Sequence, residues 1–263
     1  MNQTVVFILS SNYSGSTWLA LLLGSHAQSA YVGELHKMFH NDPVPCRLCE
    51  EKQQACPVFH DVAGAKIKNI HQLVFTRTGK KVLMDNSKTV AWSRKFLNEG
   101  KFQKKYVHLL RDPRAIAFSL QLRDRAPETE EWIKKNREIR EFLLANDLDH
   151  RAITYNQLAD HTDETLAALD QWLGFAYEAS QKEYWSVEHH GPGRNGATAG
   201  FLDHYVASDE QFYSERKRTN FHDLRWKEQL HEDSKILIAR DAELRAFLQE
   251  MNLTLGEEGL NRV

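Results

Sequence analysis

One segment near the start of the chain restricts its fold more than any other: VVFILSSNYSGSTWLALLL, from Val5 to Leu23. β-Branched and apolar residues run into a cluster of small polar ones, and an apolar segment containing Trp18 follows at once. This pattern predicts a buried strand, a tight turn and a helix that begins near residues 14–17. Because such a turn directs unpaired backbone N–H groups at one point, it also predicts an anion-binding site.

We call the turn at residues 11–15 the anion loop. With the residues on either side, it nearly matches the phosphate-binding spacing G-x-x-x-x-G-K-S/T. Ser10 takes the place of the first glycine, Gly15 and Thr17 fit, and Ser16 stands where the lysine belongs. The loop therefore suits a phosphate, but it lacks the lysine that reaches the β- and γ-phosphates of a nucleoside triphosphate. A P-loop kinase, which needs that lysine and a Mg²⁺-binding set, is the weaker alternative for this reason.

Short apolar runs alternate with amphipathic stretches between residues 5 and 173. The alternation predicts an α/β fold: a three-layer sandwich around a central, mostly parallel sheet, with a P-loop-like nucleotide-binding topology. The length suits a single domain over residues 1–263. Strands are predicted at 5–9, 30–32, 81–84, 106–110 and 152–155, and helices at 90–97, 115–125, 130–144, 162–173 and within 223–251.

Charge and hydropathy exclude two classes of partner. The net charge of −2 argues against general nucleic-acid binding, which usually needs a basic face. No apolar run approaches the roughly 20 residues that span a bilayer. The N-terminal apolar run has no basic residues before it and leads straight into the anion loop. We therefore expect a core strand there rather than a signal peptide, and a cytoplasmic location.

All three cysteines, Cys46, Cys49 and Cys56, lie in one short stretch. An odd count in a reducing compartment disfavours a disulfide framework. Together with His60 they could form a Cys3His zinc site. The alternative is a reduced loop with half-buried thiols and no metal, and this is the interpretation that we favour from the sequence.

A second informative segment, YVHLLRDPRAIAFSLQLRDR, runs from Tyr106 to Arg125. A predicted strand ends at Arg111, Asp112-Pro113 makes the turn, and Ser119 lies on the helix that follows. Both Arg111 and Ser119 can contact a phosphate, the arginine through a bidentate fork and the serine through its hydroxyl. Equally, Arg111 could pair with a structural carboxylate.

Taken together, these segments resemble the two cofactor signatures of the sulfotransferase family that uses 3′-phosphoadenosine 5′-phosphosulfate (PAPS). The family's first loop, Lys/Arg-Ser-Gly-Ser/Thr-Thr-Trp/Leu-Leu, corresponds to residues 14–19. Its second signature has an arginine at a strand end and a serine eight positions later, as in Arg111 and Ser119. A third segment, ITYNQLADHTDETLAALDQWLGF, resembles the family's Y-E-D-L segment and the helix after it. The resemblance covers roughly residues 4–175.

The resemblance implies a PAPS-dependent sulfotransferase that moves a sulfuryl group to a hydroxyl acceptor and releases adenosine 3′,5′-bisphosphate. It implies that the anion loop holds the 5′-phosphosulfate, that the second signature holds the 3′-phosphate, and that two aromatic residues lie beside the adenine. A late loop, HHGPGRN, loosely resembles the segment that closes over the 3′-phosphate. The donor-binding residues are then Ser14, Gly15, Ser16, Thr17, Trp18, Arg111, Ser119, Tyr155 and Arg194.

This chain departs from the family pattern at Tyr13, where the family usually has a lysine or arginine. Sulfuryl transfer builds negative charge on the leaving phosphate oxygen, and a phenol supplies no cation to offset it. The segment VLMDNSK offers Lys88, expected at the start of a helix after a strand that ends at Asp85. Its D-x-S-K pattern resembles many bacterial sulfotransferases, so we expect Lys88 to be catalytic. A surface lysine is the alternative.

The acceptor hydroxyl needs a base, and YVGELHKMF places Glu34 and His36 just after the second predicted strand. A carboxylate whose pKa is raised by burial or by the sulfate can take a hydroxyl proton. The family's carbohydrate-type and bacterial members often have a glutamate here, which favours Glu34. A neutral histidine is also a competent base, so His36 is the alternative. A third possibility is that Glu34 is a helix-start carboxylate.

The acceptor cannot be identified from the residues, because a sugar, a lipid headgroup and a phenol fit the aromatic and histidine content near residues 184–213 equally well. No metal is needed for this chemistry. A non-catalytic nucleotide-binding protein of the same fold is the remaining alternative, with Tyr13 as the mark of lost catalysis.

Overall fold

Five strands form the central sheet in the order β2-β3-β1-β4-β5, and all neighbouring pairs are parallel. The computed structural model describes residues 3–193, 202–203 and 222–263. The sheet confirms the predicted α/β class, and each of the five predicted strands overlaps an observed one. A separate antiparallel hairpin lies near the C-terminus. The strands are β1 (Thr4–Ser10), β2 (Ser29–Gly33), β3 (Val82–Lys88), β4 (Gln103–Leu110), β5 (His150–Thr154), β6 (Leu253–Leu255) and β7 (Leu260–Arg262).

The central strand β1 is buried along its whole length because both faces of the sheet are covered. Val5, Phe7 and Leu9 belong to one apolar cluster, whereas Val6 and Ile8 belong to another. Successive side chains of a strand point to opposite faces, so this division assigns the two clusters to the two sides of the sheet. A continuous apolar run is typical of such a parallel strand.

Helices cover the sheet, and the first of them is buried at all nine of its residues, as its apolar sequence STWLALLLG requires. In the described part of the chain, no helix has the length and apolarity to cross a membrane. Short 3₁₀ helices occupy Leu35–Phe39, Val62–Gly64, Ile67–Asn69 and Ala179–Ser186. The α-helices are α1 (Ser16–Gly24), α2 (Arg47–Glu51), α3 (Ile70–Thr78), α4 (Val90–Arg94), α5 (Pro113–Gln121), α6 (Thr129–Ala145), α7 (Tyr155–Asp160), α8 (Thr162–Leu173), α9 (Trp226–Gln229), α10 (Glu232–Arg240) and α11 (Ala242–Glu250).

Two predicted strand ends were wrong, those of β5 and β3, and the helices predicted at 90–97 and 115–125 are Val90–Arg94 and Pro113–Gln121. Tyr155 begins α7 instead of ending β5, since the Thr154 hydroxyl accepts a hydrogen bond from the Gln157 N–H at 3.0 Å and caps the helix. β3 continues to Lys88 instead of ending at Asp85, because Lys88 still pairs with Leu9 after an irregularity in the register. The predicted C-terminal helical region consists of three helices, α9 to α11.

The parallel arrangement brings the proposed functional residues to one edge of the sheet. Each strand ends just before one of them or at it: the anion loop follows β1, Glu34 follows β2, and Lys88 ends β3. Arg111 follows β4, and Tyr155 follows β5. Ligands of open α/β sheets bind at the carboxyl ends of the strands, so this edge is the candidate site.

Candidate functional site

The anion loop ends at Gly15, which adopts a left-handed conformation with φ of +84° and precedes the first turn of α1 without a side-chain cap. A Cβ atom at Gly15 would lie 2.6 Å from the ring of Tyr155, so both the backbone conformation and the close approach require glycine. The hydroxyls of Ser11 and Ser14 lie 2.7 Å apart and close the loop. Backbone N–H groups at the start of α1 can therefore face an anion.

Tyr13 contributes its backbone to the site while its ring packs elsewhere. Its carbonyl accepts a hydrogen bond from Arg111 Nη1 at 2.7 Å. Its ring lies 4.8 Å from the guanidinium of Arg123, beyond the end of α5. Tyr13 and Lys88 also line one cavity of about 230 Å³. Lys88, the expected substitute for the missing loop cation, therefore faces the same cavity as Tyr13.

Arg111 is buried, and its guanidinium lies 4.4 Å from the ring centroid of Tyr155. Its Nη2 and Asp223 Oδ2 form a buried ion pair at 3.9 Å, which is too long for a hydrogen bond. Asp223 instead accepts hydrogen bonds from Arg225 at 2.8 and 3.0 Å. Arg111 Nε is buried with no hydrogen-bond partner in the described part of the chain. The alternative of a structural carboxylate is therefore met in part, by an ion pair without a hydrogen bond, and the Nε donor of Arg111 remains unused among the described residues.

Ser119 and Trp18 are two further predicted donor-binding residues. The Ser119 hydroxyl donates to the Ala115 carbonyl at 3.0 Å within α5. Among the described residues, no hydrogen bond joins it to Arg111. The rings of Trp18 and Tyr155 have centroids 5.8 Å apart. Trp18 also lines a second cavity of about 290 Å³, together with Tyr184 and Trp185. Arg194 lies outside the described residues.

Thr17 and Ser16 are buried at the start of α1, and the loop is tied to the neighbouring strand through Thr17. Asn86 in β3 donates a hydrogen bond to the Thr17 hydroxyl at 3.3 Å. The Oδ1 atom of Asn86 is buried without a partner among the described residues. The sequence reasoning missed Asn86, although its position in the quoted VLMDNSK segment placed it at the end of a strand beside β1.

Glu34 lies between two ammonium groups at the ends of β2 and β3. Lys88 Nζ donates to Oε1 at 2.9 Å, and Lys37 Nζ lies 2.8 Å from Oε2. Burial alone would raise the pKa of Glu34, but Lys88 and Lys37 together outweigh it and hold the pKa below its usual value. The expectation of a raised pKa was therefore wrong, because Lys37 supplies a second cation that the sequence reasoning did not consider.

A buried carboxylate shapes the end of β3 and so positions Lys88. Asp85 Oδ1 accepts hydrogen bonds from the Ser87 N–H at 3.0 Å and from the Ser87 hydroxyl at 2.5 Å. Asp85 Oδ2 accepts from Trp92 Nε1 at 2.8 Å and lies 2.9 Å from His71 Nε2. Lys88 directly follows Ser87 and adopts a φ of +68°, which is unusual for a side chain of its size.

His36 lies beside the same turn, where its backbone N–H donates to the Ser87 hydroxyl at 3.3 Å. Its Nδ1 is buried with no partner among the described residues. Burial, partly offset by the charge of Glu34, lowers the pKa of His36, so the ring is neutral at pH 7 and can accept a proton. It remains the alternative base.

The cysteine stretch does not use the histidine that the sequence suggested. His60 is exposed, and its Nδ1 lies 2.8 Å from the Cys56 carbonyl oxygen. His190 instead directs its Nδ1 at the three thiols. The hypothesis of a zinc site with His60 was therefore wrong in its fourth ligand. His190 is far from the cysteines in the sequence, and only the fold brings it close to them.

Comparison with known proteins establishes the fold. Several solved structures match, and two of them cover nearly the whole chain. The sulfotransferase domain from the curacin biosynthetic pathway is 19% identical with a TM-score of 0.57, covering 95% of this chain and 97% of that one. The sulfotransferase domain from the Synechococcus PCC 7002 olefin synthase is 18% identical with a TM-score of 0.62, covering 97% and 96%. No protein-family model and no curated protein matches. The resemblance stated from the motifs is thus confirmed in the architecture of the chain.

Proposed function

We propose that this chain, which has the sulfotransferase fold, moves a sulfuryl group from PAPS to the hydroxyl of an acceptor. The observation that carries the proposal is the position of Arg111, bound to the anion loop through the Tyr13 carbonyl at 2.7 Å and stacked on Tyr155. It adds a second anion-binding group to the loop. A nucleotide that carries phosphate on both its 5′ and 3′ positions needs two such groups, whereas ATP would need the lysine that Ser16 replaces.

The donor residues keep the roles implied by the resemblance. The N–H groups of residues 14–17 hold the 5′-phosphosulfate, and Arg111 and Ser119 hold the 3′-phosphate. Ser119 is half-buried, so its hydroxyl can turn from the Ala115 carbonyl to the ligand. Trp18 and Tyr155 offer aromatic faces to the adenine. Arg194 is proposed as a further contact with the 3′-phosphate.

Glu34 and Lys88 carry the chemistry in this proposal. The acceptor oxygen forms a bond to sulfur, the bond from sulfur to the leaving phosphate oxygen breaks, and Glu34 takes the acceptor proton. Lys88 offsets the charge on the leaving oxygen. If Lys88 turns from Glu34 to that oxygen, the pKa of Glu34 rises as the proton arrives, because Glu34 loses one of its two cations.

We place the acceptor in the 230 Å³ cavity that Lys88 lines; Glu34 is not a lining residue and is joined to the cavity through Lys88, at 2.9 Å. The cavity lining combines apolar side chains such as Trp132 with charged ones such as Glu131 and Lys135. A hydroxyl compound with both polar and apolar surface suits such a lining. A sugar, a lipid headgroup and a phenol all belong to that class.

A transfer assay with sulfur-labelled PAPS tests the proposal directly. The chain is incubated with a panel of sugars, phenols and lipid headgroups, and label in the acceptor is measured beside Glu34→Gln as the matched control. We expect transfer to at least one acceptor class and a loss of roughly 10²-fold or more in the variant. Binding of adenosine 3′,5′-bisphosphate without transfer to any acceptor would instead indicate a non-catalytic protein of this fold.

A further inference from the structure

Three thiols and one imidazole, none of them among the proposed donor-binding or catalytic residues, lie close together. The Sγ atoms of Cys46, Cys49 and Cys56 and the Nδ1 of His190 all lie within 4.8 Å of one another. His190 Nδ1 is 3.7, 3.4 and 3.6 Å from the three sulfurs in that order. The three cysteines are 3%, 2% and 8% exposed, so the cluster is closed to solvent on the thiol side.

These separations are those of a tetrahedral metal site. Zinc–sulfur bonds of about 2.3 Å and zinc–nitrogen bonds of about 2.0–2.1 Å, at tetrahedral angles, put sulfur and nitrogen ligands roughly 3.6 Å apart. The three distances from His190 fall on both sides of that value. A set of three sulfurs and one nitrogen favours zinc over the hard cations, which prefer oxygen ligands.

The surroundings of the cluster also match what metal ligands require. His190 Nε2 lies 3.0 Å from Glu188 Oε1, and Lys52 Nζ lies 3.2 Å from Glu188 Oε2. A proton held on Nε2 by this carboxylate leaves the Nδ1 lone pair free to bind a metal. On the other side, the Phe59 N–H donates to Cys56 Sγ at 3.2 Å, which stabilises a thiolate.

The geometry points to a structural zinc ion bound by Cys46, Cys49, Cys56 and His190. Four protein ligands fill a tetrahedral site and leave no open position for a substrate, so the ion has a structural role. The inference replaces the expectation of a metal-free cysteine loop. It is independent of the proposed function, because none of the four ligands belongs to the donor or catalytic residues.

The site lies at a junction that reaches Glu34. Pro192 forms an isolated antiparallel bridge with Cys46, and its carbonyl accepts a hydrogen bond from the Glu34 N–H at 3.0 Å. A Cβ atom at Gly33 would come within 2.4 Å of the Pro192 carbonyl oxygen, so this contact requires glycine. The zinc ion would therefore fasten residues 188–193 to the cysteine stretch and, through Pro192, to the backbone of Glu34.

The test begins with the chain as given, without substitutions. Zinc per chain is measured by mass spectrometry after purification, and we expect about one equivalent. Cobalt is then exchanged for zinc, and we expect the visible absorption of tetrahedral Co²⁺ with thiolate-to-cobalt charge transfer in the near ultraviolet. Both readouts use the intact protein, so neither depends on a variant that fails to fold.

Variants then identify the fourth ligand. His190→Ala should weaken zinc binding at least tenfold in competition with a chelator and alter the cobalt spectrum. His60→Ala is the matched control, a histidine close to Cys56 but outside the cluster, and should leave both unchanged. A chain that holds no zinc and gives no thiolate-to-cobalt band would overturn the site. A spectrum that depends on His60 and not on His190 would overturn the ligand set.

Discussion

At the ends of β1 and β4, Arg111 is held by a backbone carbonyl and an aromatic ring, whereas at the ends of β2 and β3, Glu34 is held by two ammonium groups. Contacts of the first kind do not depend on the protonation of a side chain. Those of the second kind do, because each ammonium group responds to the charge on the carboxylate. In the proposed function, Arg111 keeps its contacts when the donor binds, and the second region changes its contacts as charge moves.

Exposure separates the two regions in the same way. The side chain of Arg111 is 7% exposed, while those of Lys88 and Lys37 are 17% and 30% exposed. A long side chain with solvent beside it can change partner at small cost, and a stacked, buried guanidinium cannot. Substitutions should therefore divide into losses of donor affinity on one side and losses of turnover on the other.

Lys88→Ala should have the largest effect, and it should fall on turnover. Removing the cation that offsets charge on the leaving oxygen should lower kcat about 10³-fold, the upper end for losing one such donor. Donor affinity should change much less. Kcat and the dissociation constant for adenosine 3′,5′-bisphosphate, measured on the same variant, check both statements.

Lys37→Ala is the matched control for Lys88, since it removes the other ammonium group from Glu34. Its loss of kcat should be much smaller, because Lys37 does not line the cavity that Tyr13 and Lys88 share. Each lysine lowers the pKa of Glu34, so either variant should move the acidic limb of the pH–rate profile to higher pH. Equal losses of kcat in the two variants would mean that Lys88 acts only through Glu34.

Arg111→Ala should affect the other region and reduce donor affinity by about 2–4 kcal/mol, since it removes a buried charged contact with phosphate. Titration calorimetry with adenosine 3′,5′-bisphosphate measures this. Arg114→Ala is the control, because the Arg114 guanidinium is bound to Asp112 and to the Gly256 carbonyl. It should cost stability and leave donor affinity unchanged. The same loss of affinity in both variants would contradict a specific role for Arg111.

Glu34→Gln should lower kcat roughly 10²-fold while donor affinity is kept, because the amide cannot take the acceptor proton and no donor contact is removed. His36→Asn measures the alternative base under the same conditions. If His36→Asn is inactive and Glu34→Gln is active, the base has been assigned to the wrong residue.

Tyr13→Phe should have the smallest effect, under tenfold in rate or about 1 kcal/mol, since at most one hydrogen bond is lost. The informative variant is Tyr13→Lys in the Lys88→Ala background. If both positions act on one oxygen, restoring the loop cation should recover part of the lost kcat. A double-mutant cycle measures the coupling, and additive losses with no recovery would mean that the two positions never share a target.

The fold was largely predictable because burial on both faces leaves a plain pattern in the sequence. β1 and its neighbours appear as short apolar runs, and α8 was predicted with the bounds it has, Thr162–Leu173. The errors at the strand ends occurred where a local hydrogen bond decides the backbone, at the Thr154 cap of α7 and where Lys88 of β3 pairs with Leu9. Hydropathy carries no information about such a hydrogen bond.

The candidate site was predictable around Arg111 and only partly predictable around Glu34. The anion loop and Arg111 lie in short motifs, and their contacts follow from neighbouring strands. The surroundings of Glu34 depend on Lys37, three residues away on a 3₁₀ helix that the sequence did not predict. His190 is 134 residues from Cys56, so spacing gave no reason to prefer it to His60. Only its place in the HHGPGRN loop could have raised it as a candidate.

The central claim is that the carboxyl edge of the sheet binds a nucleotide with phosphate on both its 5′ and 3′ positions. Thermal unfolding with and without nucleotide tests this most directly. Adenosine 3′,5′-bisphosphate should raise the Tm far more than ATP with Mg²⁺ or 5′-AMP, because it alone engages both the anion loop and Arg111. In Arg111→Ala, the preference over 5′-AMP should largely disappear. An equal rise in Tm with ATP and Mg²⁺ would contradict the sulfotransferase proposal and favour a kinase.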